Sequence, residues 1–124
     1  MFQILAIAGG GALGALGRFW MSAGIHRLAG RGFPWGTLAV NALGSFIMGL
    51  LFVLLVDRLA TGPEVRSAIL VGFLGAFTTF STFSVETIAL IEAGFLWKAF
   101  LNMWVSLLLC LLACWLGVIL GRSV

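Results

Sequence analysis

Apolar residues run along this chain in four long stretches separated by short polar turns, and no stretch alternates with the period of two that marks a half-buried strand. The stretches cover about 2–21, 35–56, 67–91 and 97–120. A helix rising about 1.5 Å per residue needs about 20 residues to cross a hydrocarbon layer about 30 Å thick. The predicted fold is therefore all-α: a single four-helix transmembrane domain over residues 1–124. Turns are expected at Ser22–Pro34, at Asp57–Arg66, where Gly62 and Pro63 reverse the chain, and around Glu92, Gly94 and Lys98. The N-terminus is apolar from Phe2 with no basic lead-in, so the first stretch is expected to be a retained helix rather than a cleaved signal.

The third stretch breaks the apolar rule at its centre. GFLGAFTTFSTFS, residues 72–84, holds two glycines, three threonines, two serines and four phenylalanines. Unsatisfied polar groups at that depth cost several kcal/mol each, so the cluster must face protein or a water-filled path. Glycines and consecutive β-branched threonines are poor helix formers. A helix break is predicted near Gly75 to Thr79. Beyond it Phe80 and Phe83 share a face, Ser81 and Ser84 form a neighbouring pair with Thr82 between them, and Glu86 is the sole acid well inside a span. An acid there is a functional candidate, the alternative being a structural partner for Arg18 or a loop base.

Similar punctuation recurs in the other stretches. In the second, Thr37, Asn41 and Ser45 stack on one helical face, with Gly44 beside them leaving the stripe uncrowded. Asn41 alone would suit an interhelical hydrogen bond; three polar groups in register favour a lined path. In the first, Gly10 and Gly14 have the GxxxG spacing that lets backbones approach closely. Arg18 closes that stretch near the interface, where it could snorkel, the alternative being that it caps carbonyls or braces a partner helix. The fourth carries Asn102 and Ser106 at an i, i+4 spacing and ends in the Gly117 to Gly121 step.

Composition agrees with a bilayer as solvent. The chain is 62% hydrophobic and 9% charged, with a mean hydropathy of +1.20. Four spans leave no room for a separate catalytic or ligand-binding domain, and they enclose little interior, so an oligomer is expected. The net charge of +3 is scattered, which argues against nucleic acid as a partner. His26 reads as a solvated loop histidine. Cys110 and Cys114 read as small apolar packing residues. No nucleophile–base pair, metal cluster or nucleotide motif is present, so an enzyme or a motor is not expected. Basic residues balance across the two sides: Arg58, Arg66 and Arg122 against Arg27, Arg31 and Lys98, with Arg18 near the edge of the latter. Such balance gives no clear orientation signal, and a chain inserted both ways can pair antiparallel.

Three motifs resemble those of the small bacterial Fluc/CrcB fluoride channels. GGALGALGR at 10–18 is similar to that family's GGxxGAxxR, GTLAVNALGSF at 36–46 to GTLxVNxxGSF, and GFLGAFTTFSTFS at 72–84 to GxxGxxTTFSTFS, with Glu86 also in place. The resemblance spans essentially the whole chain. It implies an antiparallel dual-topology homodimer in a bacterial inner membrane, with two pores that let fluoride leave passively down its electrochemical gradient. It implies pores lined by Asn41, Phe80 and Phe83. It also implies a polar track at Ser81 and at Thr82 or Ser84, and Glu86 near the vestibule. A structural sodium ion is implied on the dimer axis, held by the backbone carbonyls of Gly75 and Thr78. Relatives place a tyrosine in the fourth helix; this chain has none, and Asn102, Trp104 and Ser106 are the candidates for its place.

The residues support an anion path on their own terms. Amides and hydroxyls donate hydrogen bonds to an anion without trapping it as a buried cation would, and an aromatic ring presents a positive edge. The main competing class is a proton-coupled small multidrug exporter, which needs an embedded acid; Glu86 is the one candidate, and the first helix has none. A non-transporting scaffold accounts for the GxxxG steps but not for the polar, broken third stretch.

Overall fold

The computed structural model describes residues 1–124, all of them helical or in short turns. Helix α1 spans Phe2–Ala29 and α2 spans Trp35–Arg58. The third span, Pro63–Glu92, is two helices: α3 over 63–77 and α4 over Phe80–Glu92. Helix α5 spans Leu96–Ser123. These four spans are each long and apolar enough to cross a membrane.

The first turn is shorter than expected. Helix α1 runs on through Ser22 to Ala29 and stops at Gly30, whose φ of 80° suits a residue without a Cβ. Arg18 therefore lies near the middle of a span rather than at its edge, and His26 lies in a helical turn rather than a loop. The second turn is also short: α2 continues to Arg58, and Pro63 opens α3 at the position where its missing N–H costs nothing. Two segments are wound wider than an α-helix, Val53–Arg58 and Ser67–Leu74. In the first, the Leu59 N–H reaches back five residues to the Leu54 carbonyl at 2.8 Å. Such widenings follow no simple residue pattern, and the sequence reading did not anticipate them.

Glycines set which helices touch. Helix α1 packs chiefly on α3 and α2 chiefly on α5. A Cβ built on Gly10 would collide with the Ala68 carbonyl, and one on Gly14 with the Phe73 carbonyl, so the GxxxG step seats α1 directly against the α3 backbone. The α2–α5 seam repeats the device: Gly49 abuts the Cys114 carbonyl and Gly117 abuts the Phe46 carbonyl. Gln3 Nε2 adds a hydrogen bond to Ser67 Oγ at 2.7 Å between α1 and α3. At one end, Arg58 Nη2 donates to the Arg122 carbonyl at 3.0 Å; at the other, Lys98 Nζ donates to the Gly32 carbonyl at 3.1 Å.

Candidate functional site

The break in the third span is narrower than the sequence implied. Gly75 is still helical, and the chain leaves the helix only at Thr78 (φ −80°, ψ 154°) and Thr79 (φ −150°, ψ 117°) before α4 begins at Phe80. Extended backbone suits β-branched residues, but it strands peptide groups at mid-span, where no water substitutes for a lost partner.

Three of those groups are taken up by side chains from other helices. Asn41 of α2 clasps the Thr79 residue on both sides: its Nδ2 donates to the Thr79 carbonyl at 3.0 Å, and the Thr79 N–H donates to its Oδ1 at 2.7 Å. Arg18 Nε donates to the Ala76 carbonyl at 3.1 Å, and its Nη1 lies 3.5 Å from Thr82 Oγ1. Of the roles open to Arg18, carbonyl capping is the one this contact fills. Thr79 Oγ1 caps α4 by accepting from the Thr82 N–H at 3.1 Å, and also contacts Ser81 Oγ at 3.2 Å and Thr82 Oγ1 at 3.1 Å. Gly44, rather than leaving open space, receives the Thr78 methyl and the Phe77 ring; a Cβ there would overlap the methyl.

Five backbone groups stay without a partner in the chain. These are the carbonyls of Gly75, Phe77 and Thr78 and the N–H groups of Phe80 and Ser81. A helix C-terminus attracts cations and an N-terminus attracts anions. The two-residue interruption sets one of each side by side in the interior of a span.

Two cavities meet at this point. The larger, about 550 Å³, lies between α2, α4 and α5 and is lined by Asn41, Ser45, Thr78, Thr79, Phe80, Phe83, Ser106, Cys110 and Cys114 among others. Phe80 projects from the chain, 79% exposed, with its ring centroid 5.3 Å from that of Phe83. The smaller, about 300 Å³, is basic and polar: Arg18, Ser22, His26, Arg31, Thr37, Thr79 and Thr82 line it. Thr79 belongs to both, so the Asn41–Thr79 clasp stands at the partition. Rather than standing free in water, His26 holds Nδ1 buried without a partner and packs its other ring nitrogen beside Gly36.

Of the residues singled out from the sequence, Asn41, Phe80, Phe83 and Ser106 share the larger groove, and Thr37 and Thr82 border the smaller cavity. Ser81, Ser84 and Glu86 line neither. Ser84 Oγ donates to the Phe80 carbonyl at 2.9 Å, and Glu86 Oε1 accepts from Thr37 Oγ1 at 2.7 Å while its Oε2 is buried without a partner. The acid thus faces the α2 stripe rather than Arg18. On α5, Trp104 is half exposed and absent from the groove, whereas Asn102 is 2% exposed.

Thr87 is a residue the sequence reading missed. It is buried; its Oγ1 donates to the Phe83 carbonyl at 2.7 Å and accepts from Asn102 Nδ2 at 2.9 Å, and Ser106 Oγ donates to Asn102 Oδ1 at 3.3 Å. The available signal was its position four residues after Phe83, opposite the Asn102–Ser106 pair. Thr87→Val keeps the volume but strands the Asn102 amide, at an expected cost of about 1–2 kcal/mol. Removing the whole network with Thr87→Val, Asn102→Leu and Ser106→Ala should recover most of that loss, because no buried partner is then left stranded. Thermal unfolding in detergent measures both; equal loss in the single and triple variants would show that the stranded amide is not what the single variant costs.

A family model described as CrcB-like protein, Camphor Resistance (CrcB), matches residues 5–118. Relatives described as fluoride-specific ion channel FluC are similar over nearly the whole chain. That of Magnetococcus marinus is 53% identical over 122 residues, covering 98% of this chain and 99% of the relative. That of Geobacter sulfurreducens is 46% identical over 123 residues, covering 99% of each. That of Methylococcus capsulatus is 57% identical over 120 residues, 97% of this chain, which spans about half (53%) of that relative's length.

Proposed function

The chain belongs to the CrcB family, and on that premise we propose that this multi-pass membrane protein is a fluoride-selective ion channel, not an enzyme, that lets fluoride leave a bacterial cell across its inner membrane. The observation that carries the reading is the larger groove. Asn41 of α2, Phe80 and Phe83 of α4 and Ser106 of α5 come from three separate helices to line one path at the break in the third span.

The groove offers neutral donors. Asn41 uses one amide hydrogen on the Thr79 carbonyl and keeps the other. The free N–H groups of Phe80 and Ser81 add the positive end of α4. The ring edges of Phe80 and Phe83 supply weak positive potential without a fixed cation. A small, strongly hydrated anion needs several close donors to replace its water, and it must not be held by a full charge if it is to leave. No nucleotide or motor element accompanies the path, so flux is passive and follows the electrochemical gradient.

The working unit in this reading is an antiparallel homodimer with two pores. The protruding Phe80 supports it, because a ring this exposed at mid-span is suited to packing on a second copy. So does the basic balance between the two ends of the chain. The carbonyls of Gly75 and Thr78, free of hydrogen bonds, fit a structural sodium ion, a hard cation that takes oxygen ligands. Such an ion would neutralise the carbonyl dipoles left open by the break.

The test is fluoride efflux from liposomes holding the purified protein, followed with a fluoride electrode while valinomycin carries the counter-current, beside a chloride-loaded control. Fast fluoride release with chloride retained is the expected result. No release from folded protein would sink the channel reading and turn attention to proton-coupled transport through Glu86. In the same assay, Phe80→Ile and Phe83→Ile should each slow fluoride release severely while leaving the assembly intact on gel filtration, since volume is roughly kept and the ring edge is lost. Unchanged flux in both would remove the rings from the mechanism.

A further inference from the structure

Along α5, Asn102, Ser106, Cys110 and Cys114 recur every fourth residue. The first two are tied into the Thr87 network. The last two are free thiols, half-buried beside the α2–α5 seam, and both open onto the larger groove. Met48 of α2 lines the same groove. It sits next to Gly49, whose missing side chain brings the α2 backbone against the Cys114 carbonyl. No carboxylate and no histidine lines this groove.

We propose that Cys110 and Cys114, with the Met48 thioether beside them, form a binding site for a soft, thiophilic metal ion, and that its occupation closes the groove. Residues at i and i+4 hold their Cβ atoms about 5–6 Å apart, a separation one ion can bridge by taking a thiolate from each. Sulfur ligands select soft ions over the hard cations that oxygen ligands hold. With a divalent ion the two thiols release two protons to water, two metal–sulfur bonds form, and no electron is transferred. The product carries no net charge, so it avoids the cost of burying one in the span. The bound ion sits on the α5 wall past Ser106, in the space that Ser45 and Met48 border from α2. The site stands on the groove alone; the closure rests on the groove being the fluoride path.

Mercury(II) is the probe. It is added to the purified full chain in detergent, free thiols are counted with a chromogenic disulfide, and retained metal is measured after a wash with excess monothiol. Both thiols should disappear with one mercury per chain retained, while Cys110→Ser and Cys114→Ser, whose lone sulfur gives no chelate, retain none. Cys110→Ala and Cys114→Ala make the same comparison if a serine variant fails to fold. Two mercury ions per chain, or single variants that hold the metal as well as the parent, would overturn the site. In liposomes, mercury should cut fluoride release at least tenfold, reversed by a dithiol and absent in the double Cys110→Ser, Cys114→Ser variant. One mercury retained with fluoride release unchanged would overturn the closure. Liposomes that release no fluoride before any metal is added would count against the channel reading, and the thiol and metal counts would still decide the site.

Discussion

Replacing Asn41 by aspartate should reduce fluoride release by on the order of 100-fold or more at neutral pH, the largest functional effect expected of any single substitution here. The substitution changes one donor group into an acceptor. The Thr79 N–H would still find an oxygen, but the Thr79 carbonyl, which now accepts from Asn41 Nδ2 at 3.0 Å, would face a second acceptor. If the carboxylate is ionised, two unit charges about 4 Å apart at an effective dielectric of about 20 repel by about 4 kcal/mol. That is more than enough for a 100-fold loss, since each ~1.4 kcal/mol is tenfold. The sign with pH follows. Protonating the acid restores one donor and one acceptor in nearly the same places, so release should recover in part as pH falls from about 7 to 5, moving toward the ordinary carboxylate range of about 4. Asn41→Leu, with no group to titrate, should be slow at every pH. Equal behaviour of the two variants across that range would show that the clasp acts by shape alone.

Gly14→Ala should give the largest loss of stability. The added methyl meets the Phe73 carbonyl and its adjoining backbone, not a side chain that can swing away. Overpacking a core by a methylene costs about 1–3 kcal/mol where side chains can yield, and two rigid backbones have less room to give. An expected loss of about 3 kcal/mol or more should appear as a much lower fraction of folded protein surviving heating in detergent. Gly9→Ala and Gly24→Ala are the controls: nothing lies within 4 Å of a Cβ at either position, and they should be neutral or slightly stabilising, since alanine is the better helix former. If Gly14→Ala matched those two, the close seam between α1 and α3 would be wrong.

The contrast among these glycines shows what a single sequence discloses and what it withholds. GxxxG spacing correctly marked Gly10 and Gly14 as close-approach positions, yet nothing in the spacing says that the partner is α3. In the sequence Gly44 leaves room beside the Asn41 stripe, but that room is filled by the Thr78 methyl, a contact between residues far apart in sequence. The four spans and the broken third one were legible because hydropathy and helix propensity are local. The reach of α1 to Ala29 was not, since Ser22, Gly24 and His26 look like turn residues until Gly36 is seen packed against Ser22 and His26. At the site, Asn41 announced itself as a polar residue at depth, but its clasp on Thr79 depends on a two-residue break that the sequence located only to within about a turn. Cys110 and Cys114 looked inert for a similar reason. Their spacing was plain, and the groove they open onto exists only once α2 and α5 are docked.

The place of Arg18 also bears on how the chain is made. Its Nε donates to the Ala76 carbonyl, 58 residues later in the sequence. A growing chain delivers α1 to the bilayer well before that carbonyl exists, so the first helix must enter carrying a cation with no partner. Insertion scales put the burden of a mid-helix arginine at about 2.5–3.5 kcal/mol. That is tolerable for a helix this apolar, but large enough to leave it shallow, tilted or ready to be moved. The first helix is then seated for good only when the third arrives, bringing at once the carbonyl for Arg18 and the backbone that Gly10 and Gly14 press against. Biogenesis of this fold is a delayed commitment, in which α1, made before α3, waits for it to reach its final depth.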